Sequence, residues 1–155
     1  MYHSHSGIQR ADGLFGAIIV ANSDQNHLYD HDLASHVILL NDWFNSGTAQ
    51  DKLDAFKHER KSLANPEAIL INGRGAFKTA SNERNAIPLS VFKVSKDKRY
   101  RFRIINAGVV ACPMQFSIEN HTFSVIASDG QPLNPETDVG ALTLFAGKDS
   151  HFFIF

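Results

Sequence analysis

His3 and His5 carry the sharpest chemical signal in the chain. In an extended segment, side chains two residues apart share a face about 6–7 Å from each other. Two imidazoles so placed can ligate one metal ion or straddle two neighbouring ions, and imidazole suits copper, zinc and iron. The other histidines read differently. His27, His31 and His36 lie in or beside a polar run and are expected to be solvated, His58 falls on the outer side of a helix, His121 sits at a turn, and His151 lies in the last few residues. Cys112 is the only cysteine, which excludes a disulfide scaffold. A blue-copper thiolate needs two histidines and an axial ligand. Met114 is near, but no histidine follows Cys112 at short spacing, so a buried free thiol or half of a disulfide reaching outside this chain is expected. Arg99, Arg101 and Arg103, with Lys96 and Lys98, alternate along a strand as a solvated or interdomain basic face. Asp12-Gly13 and Asp129-Gly130 read as turn pairs. Asn120-His-Thr122 is an N-glycosylation sequon, meaningful in a secreted protein.

The elements that position these residues are mostly strands. The 155 residues suit one domain with a sizeable core. With 15 Lys+Arg against 16 Asp+Glu, the chain lacks the positive charge that nucleic acid or an anionic membrane would demand. No apolar run approaches the roughly 18 residues of a membrane-spanning helix, and the first residues lack the basic and apolar regions of a signal peptide. Twelve Phe point to a β-rich core. Gly13 to Val20 is almost continuously apolar, as in a strand buried on both faces. The run 22–32 has no periodicity and reads as a linker, and a second unit begins with the strand His36 to Phe44. One helix is expected near 50–61, with Thr48 as N-cap and Leu53 and Phe56 on its apolar face. Further strands are expected at 68–71 before an Asn-Gly turn, at 89–94 before the charged turn 95–98, at 100–104, 114–118, 123–125 and 142–144. Residues 129–140 read as a Gly/Pro-rich connection. Short strands with a turn every eight to twelve residues indicate an antiparallel sandwich or barrel. The ending Phe152-Phe-Ile-Phe155 leaves a bare aromatic strand, so the chain is expected to be a piece cut from a longer one.

The segment Tyr2-His-Ser-His-Ser-Gly-Ile-Gln-Arg-Ala-Asp-Gly-Leu-Phe-Gly-Ala-Ile-Ile-Val20 closely resembles the second copper-binding segment of the multicopper oxidases, the laccase and ascorbate oxidase family. Arg101-Phe-Arg-Ile-Ile-Asn-Ala-Gly108, His121-Thr-Phe-Ser-Val-Ile-Ala-Ser-Asp-Gly130 and the turn Ile71-Asn-Gly-Arg-Gly75 resemble strands of that family's second cupredoxin domain, in wording most similar to invertebrate laccases. The resemblance implies an all-β, cupredoxin-like Greek-key β-sandwich with one short helix. Residues 1–21 would end a first cupredoxin domain, 22–35 would be the linker, and 36–155 most of a second domain. It also implies copper: His3 and His5 would each ligate one member of the type 3 pair in a trinuclear cluster. Ser4, Gln9, Arg10 and Asp12 would support them, with Gly7, Gly13 and Gly16 allowing close backbone approach.

The implied activity is oxidation of phenolic or diphenolic substrates, or ferrous iron, with four-electron reduction of dioxygen to water. The implied setting is extracellular, with the remaining domains of the same polypeptide as partners. Two departures bear on this. Met1 stands where the family has an aromatic residue, usually Trp, and the sequence holds none of the other three copper segments. Taken alone, the chain is therefore expected to be inactive. Two other readings use the same residues: a non-catalytic cupredoxin-like domain with a structural or partner-binding role, and a small copper module built from His3, His5 and the amine of Met1.

Overall fold

The structure is a computed structural model that describes residues 1–21, 23–45, 47–59, 65–76, 87–110 and 113–154. Cys112 lies outside these residues, as does its expected role.

The chain begins with two short strands, β1 (Tyr2–His3) and β2 (Phe15–Gly16), paired antiparallel. A single 3₁₀ turn at Asn26–Leu28 follows, then the long β3 (His31–Trp43), the helix α1 (Ala49–Glu59) and β4 (Ala68–Ile71). The remaining strands are β5 (Tyr100–Asn106), β6 (Met114–Phe116), β7 (Phe123–Ser128), β8 (Gln131–Val139), β9 (Leu142–Leu144) and β10 (Asp149–Ile154). Six strands form one sheet in the order β4-β3-β5-β10-β7-β8, with β3 and β5 parallel and the other pairs antiparallel. β6 and β9 form a small second sheet. The chain thus passes from large sheet to small and back twice, in the Greek-key manner.

Alternation explains the main core. Tyr100, Phe102 and Ile104 share one face of β5 and meet Ile38, Leu40, Phe123, Val125, Phe152 and Ile154 from the same sheet. Leu142 and Leu144 close the sandwich from the small sheet, with Met114 and Phe116 packed beside them. Phe152 is the hub, its ring centroid 5.5 Å from that of Phe102 and 4.6 Å from that of Phe123. Each fully buried Phe contributes about 1.5–3 kcal/mol relative to exposure. Among the described residues, the all-β sandwich with one short helix is as the sequence implies.

The opposite face of the large sheet departs from expectation. Arg101 and Arg103 are only 4% and 5% exposed, not a solvated basic stripe. They are covered because the run read as a linker packs down on them. Tyr29 joins Ile126 and Phe153 in a second apolar cluster, and the buried Gln25 amide donates to the Ile126 carbonyl at 2.7 Å. The buried charges both face Asp32, Arg103 in a two-pronged contact and Arg101 at 3.7 Å, and Arg101 also donates to the Tyr29 hydroxyl at 2.9 Å. β3 also begins at His31, so the end of the expected linker is strand.

His36 is likewise not a solvated histidine. It is 1% exposed, its ring stacked on Phe102 at 4.6 Å, and Nε2–H donates to the Lys93 carbonyl at 3.0 Å. His121 is exposed and bonded within its own turn, to the Glu119 carbonyl at 2.8 Å. Residues 89–94 form no regular strand, although Phe92 still packs edge-on against Phe102. The stretch 131–139 is a strand despite Pro132 and Pro135, which the outermost position in the sheet tolerates. Of the apolar run 13–20, only Phe15 and Gly16 are in a strand, and Ile18, Ile19 and Val20 are exposed.

Candidate metal centre

The histidine segment is a hairpin stiffened by its own polar groups. Tyr2 faces Gly16 across the β1–β2 pair, and a Cβ on Gly16 would lie 2.4 Å from the Tyr2 ring, so the ring lies over the glycine in space that a side chain there would take. Ser4 N–H donates to the Leu14 carbonyl at 3.0 Å, closing the hairpin one residue beyond β1. The Ser4 hydroxyl donates to Gln9 Oε1 at 2.6 Å and accepts Ser6 N–H at 3.1 Å. Residues 8–14 then wind as a single helical turn, with Gly13 at φ 99° where the chain leaves it.

His3 and His5 are thereby brought together, their ring centroids 5.2 Å apart and their planes 34° apart. His3 is half-buried and His5 exposed. His3 Nδ1–H donates to the Ser4 carbonyl at 3.0 Å. In the neutral ring this leaves the lone pair on Nε2, the state a metal-ligating imidazole needs. Two imidazoles suit copper, zinc or iron, and among the described residues no group of three or more His, Cys, Asp or Glu side chains converges on a common point. The histidines open on a cavity of about 430 Å³, lined also by Arg10, Phe44, Lys52 and Leu53.

The supporting residues act at longer range than their positions in sequence imply. Arg10 Nε and Nη2 donate to the carbonyls of Ala107 at 3.2 Å and Gly108 at 2.7 Å, so the guanidinium clamps the histidine turn to the end of β5. Asp12 Oδ1 accepts the N–H of Ala49 at 3.2 Å, tying the same turn to the first turn of α1, where a carboxylate also suits the helix dipole. That helix starts as expected: Asp51 N–H donates to Thr48 Oγ1 and Thr48 N–H to Asp51 Oδ2, a reciprocal cap.

Sequence reasoning missed the third tie. Asp42, on β3 and almost fully buried, accepts N–H bonds from Val109 at 3.0 Å and Val110 at 2.7 Å. Asn106, with no exposure at all, accepts Gly108 N–H and donates to the Leu144 carbonyl. The strap 107–110 is thus held by its carbonyls from Arg10 and by its amides from Asp42 and Asn106, and it sets Val109 in the cavity wall. Glycine suits this crowded point, since a Cβ on Gly108 would come within 2.9 Å of Asn106 Oδ1 and 3.1 Å of Asp42 Oδ2, both held by hydrogen bonds. The signal for Asp42 was its acidic type in an apolar strand, which marks a buried carboxylate seeking donors.

Fold and hairpin together define a cupredoxin-like domain joined to a His-x-His turn. The family profile described as "Multicopper oxidase" matches residues 34–154, and the chain belongs to that family. It is 37% identical to a laccase of Fomitopsis schrenkii, over 99% of this chain and 26% of that protein. It is 35% identical to a laccase of Thanatephorus cucumeris, over 95% of this chain and 27% of that protein. The chain therefore spans about a quarter of the length of these relatives, which are fungal where the wording of the segments resembles invertebrate laccases. Among solved structures, the laccase of Botrytis aclada superposes with a TM-score of 0.72 at 30% identity, covering 98% of this chain and 28% of that one. Fet3p, described as a multicopper oxidase that functions in iron import, superposes at 0.76 with 21% identity, a likeness of fold.

Proposed function

We propose that this chain is part of a laccase-type oxidase, in which residues 1–21 end one cupredoxin domain and 36–155 form most of the next. His3 and His5 each supply one imidazole to opposite members of a type 3 copper pair, the other ligands coming from outside this chain. Bound copper would supply one-electron oxidation of a phenolic or diphenolic substrate, or of ferrous iron, coupled to four-electron reduction of dioxygen to water. This chain's own residues present and orient the ligands. The Ser4 carbonyl fixes the His3 tautomer, Ser4 and Gln9 hold the turn, and Arg10 and Asp12 anchor it to β5 and α1. By itself the chain is inactive, because two imidazoles cannot hold three ions. The setting is extracellular.

The observation that carries this reading is the His3 tautomer set by Ser4, with the His5 ring centroid 5.2 Å away. The test is copper content per polypeptide, measured on the natural full-length protein and on its His3→Ala, His5→Ala double variant, together with oxygen uptake on a diphenol. Lower copper and lost uptake in the variant are expected. Equal copper in both proteins would remove the two histidines from the site.

A second reading, a non-catalytic domain that packs on a partner, is favoured by the exposed run Ile18, Ile19 and Val20. It requires that the wild-type protein bind no stoichiometric copper, so the same measurement separates the two.

A further inference from the structure

The sequon at 120–122 is not used by the copper chemistry, and its place in the fold is specific. We propose that Asn120 is an N-glycosylation site. Of all the asparagines in the sequence, only this one is followed by any residue but proline and then Ser or Thr. It occupies the tight turn between β6 and β7, with φ 58°. Asn120, His121 and Thr122 are all exposed. The turn is closed by its neighbours, His121 N–H to the Ile118 carbonyl at 3.1 Å and the His121 ring to the Glu119 carbonyl at 2.8 Å. The left-handed turn explains an asparagine at 120, but it places no demand on residue 122, where the threonine completes the sequon.

The topology puts this turn at the far end of the sandwich from the histidines. β7 starts at Phe123 beside the end of β10, whose Ile154 pairs with Tyr100 at the start of β5. Arg10 clamps the other end of β5, six residues on and about 20 Å away at strand rise. A glycan on Asn120 therefore leaves the histidine cavity open. It instead adjoins the groove formed by Val94, Lys98, Tyr100 and His121, where Val94 is exposed.

The step is a glycosyl transfer from a lipid-linked pyrophosphate donor. The sugar C1–O bond to pyrophosphate breaks, a C1–N bond to Asn120 Nδ2 forms, one amide proton is lost, and the lipid pyrophosphate leaves.

The proposal rests on the secreted setting, so the experiment supplies secretion. The natural full-length polypeptide is secreted from eukaryotic cells behind an added leader. The peptide containing residue 120 is then analysed by mass before and after an amide-cleaving glycosidase in heavy-oxygen water. The expected result is a glycan on Asn120, converted to a labelled aspartate by the enzyme and absent from both Asn120→Gln and Thr122→Ala. Thr122→Ala keeps the asparagine that the turn prefers, so it reports even where Asn120→Gln folds poorly, and Thr122→Ser restores occupancy. Copper content is expected to be unchanged in the Thr122 variants. An unmodified Asn120 peptide, in cells that glycosylate a control secreted protein, overturns the proposal. The secreted setting is judged separately, by locating the native protein in its own organism.

Discussion

At the scale of residues, the histidine turn depends on groups that bond away from it. Asp42 is the clearest case, since its buried carboxylate satisfies two strap amides at once. Asp42→Asn keeps the shape but replaces charge-assisted bonds with one acceptor oxygen. A loss of about 1.5–3 kcal/mol is expected, read as a lowered denaturation midpoint with an unchanged slope. His151 gives a second test. Its ring lies beside Arg101, with Nδ1 2.8 Å from Nη2. Burial first, and then the Arg101 and Arg103 charges, push its pKa from 6.5 down to about 4. The unfolded chain therefore binds this proton before the folded one does. Stability is unaffected above about pH 6.5, falls as pH drops from there to about 4, and levels off below, for a total on the order of 3 kcal/mol. Asp149, 3.4 Å from the same ring, is raised above 3.8 mainly by burial and works in the opposite direction. The difference between wild type and His151→Gln across that window isolates the histidine. A parallel pair of stability curves would remove His151 from the account.

At the scale of elements, β-alternation and turn chemistry were legible where one physical cause dominated. The Asn72-Gly73 turn has both residues at positive φ, as that pair demands. The Thr48 cap was readable from its residue type just ahead of the helical spacing of Leu53 and Phe56, and Thr48→Ala is expected to cost about 1 kcal/mol in thermal unfolding. For the Arg101–Arg103 face the solvated reading fails, because alternation shows only that one face of a strand differs from the other. It does not say what covers the polar face. Covering came from Gln25 and Tyr29, in a run without periodicity. His36 was misread for the same reason, its polar type outweighing its register with Ile38 and Leu40 on the buried side of β3. In the site, His3, His5 and their near neighbours were legible as a motif. Asp42 was not, since the ties to Val109 and Val110 span 67 and 68 residues.

At the scale of the whole molecule, the aromatic hub joins strands remote in sequence. Phe152→Ala removes a fully buried ring in contact with Phe102 and Phe123. A loss of about 3–5 kcal/mol is expected, and calorimetry of the variant would show it as a large fall in the unfolding temperature. The position of β10 has a consequence for how the chain is made. Of the described strands it comes last in sequence, yet it sits between β5 and β7 in the large sheet. On a ribosome, β4-β3-β5 and β7-β8 emerge as two open-edged halves with no strand to join them. Cooperative folding must wait for residues 149–154, and until then both edges are free to pair with other chains.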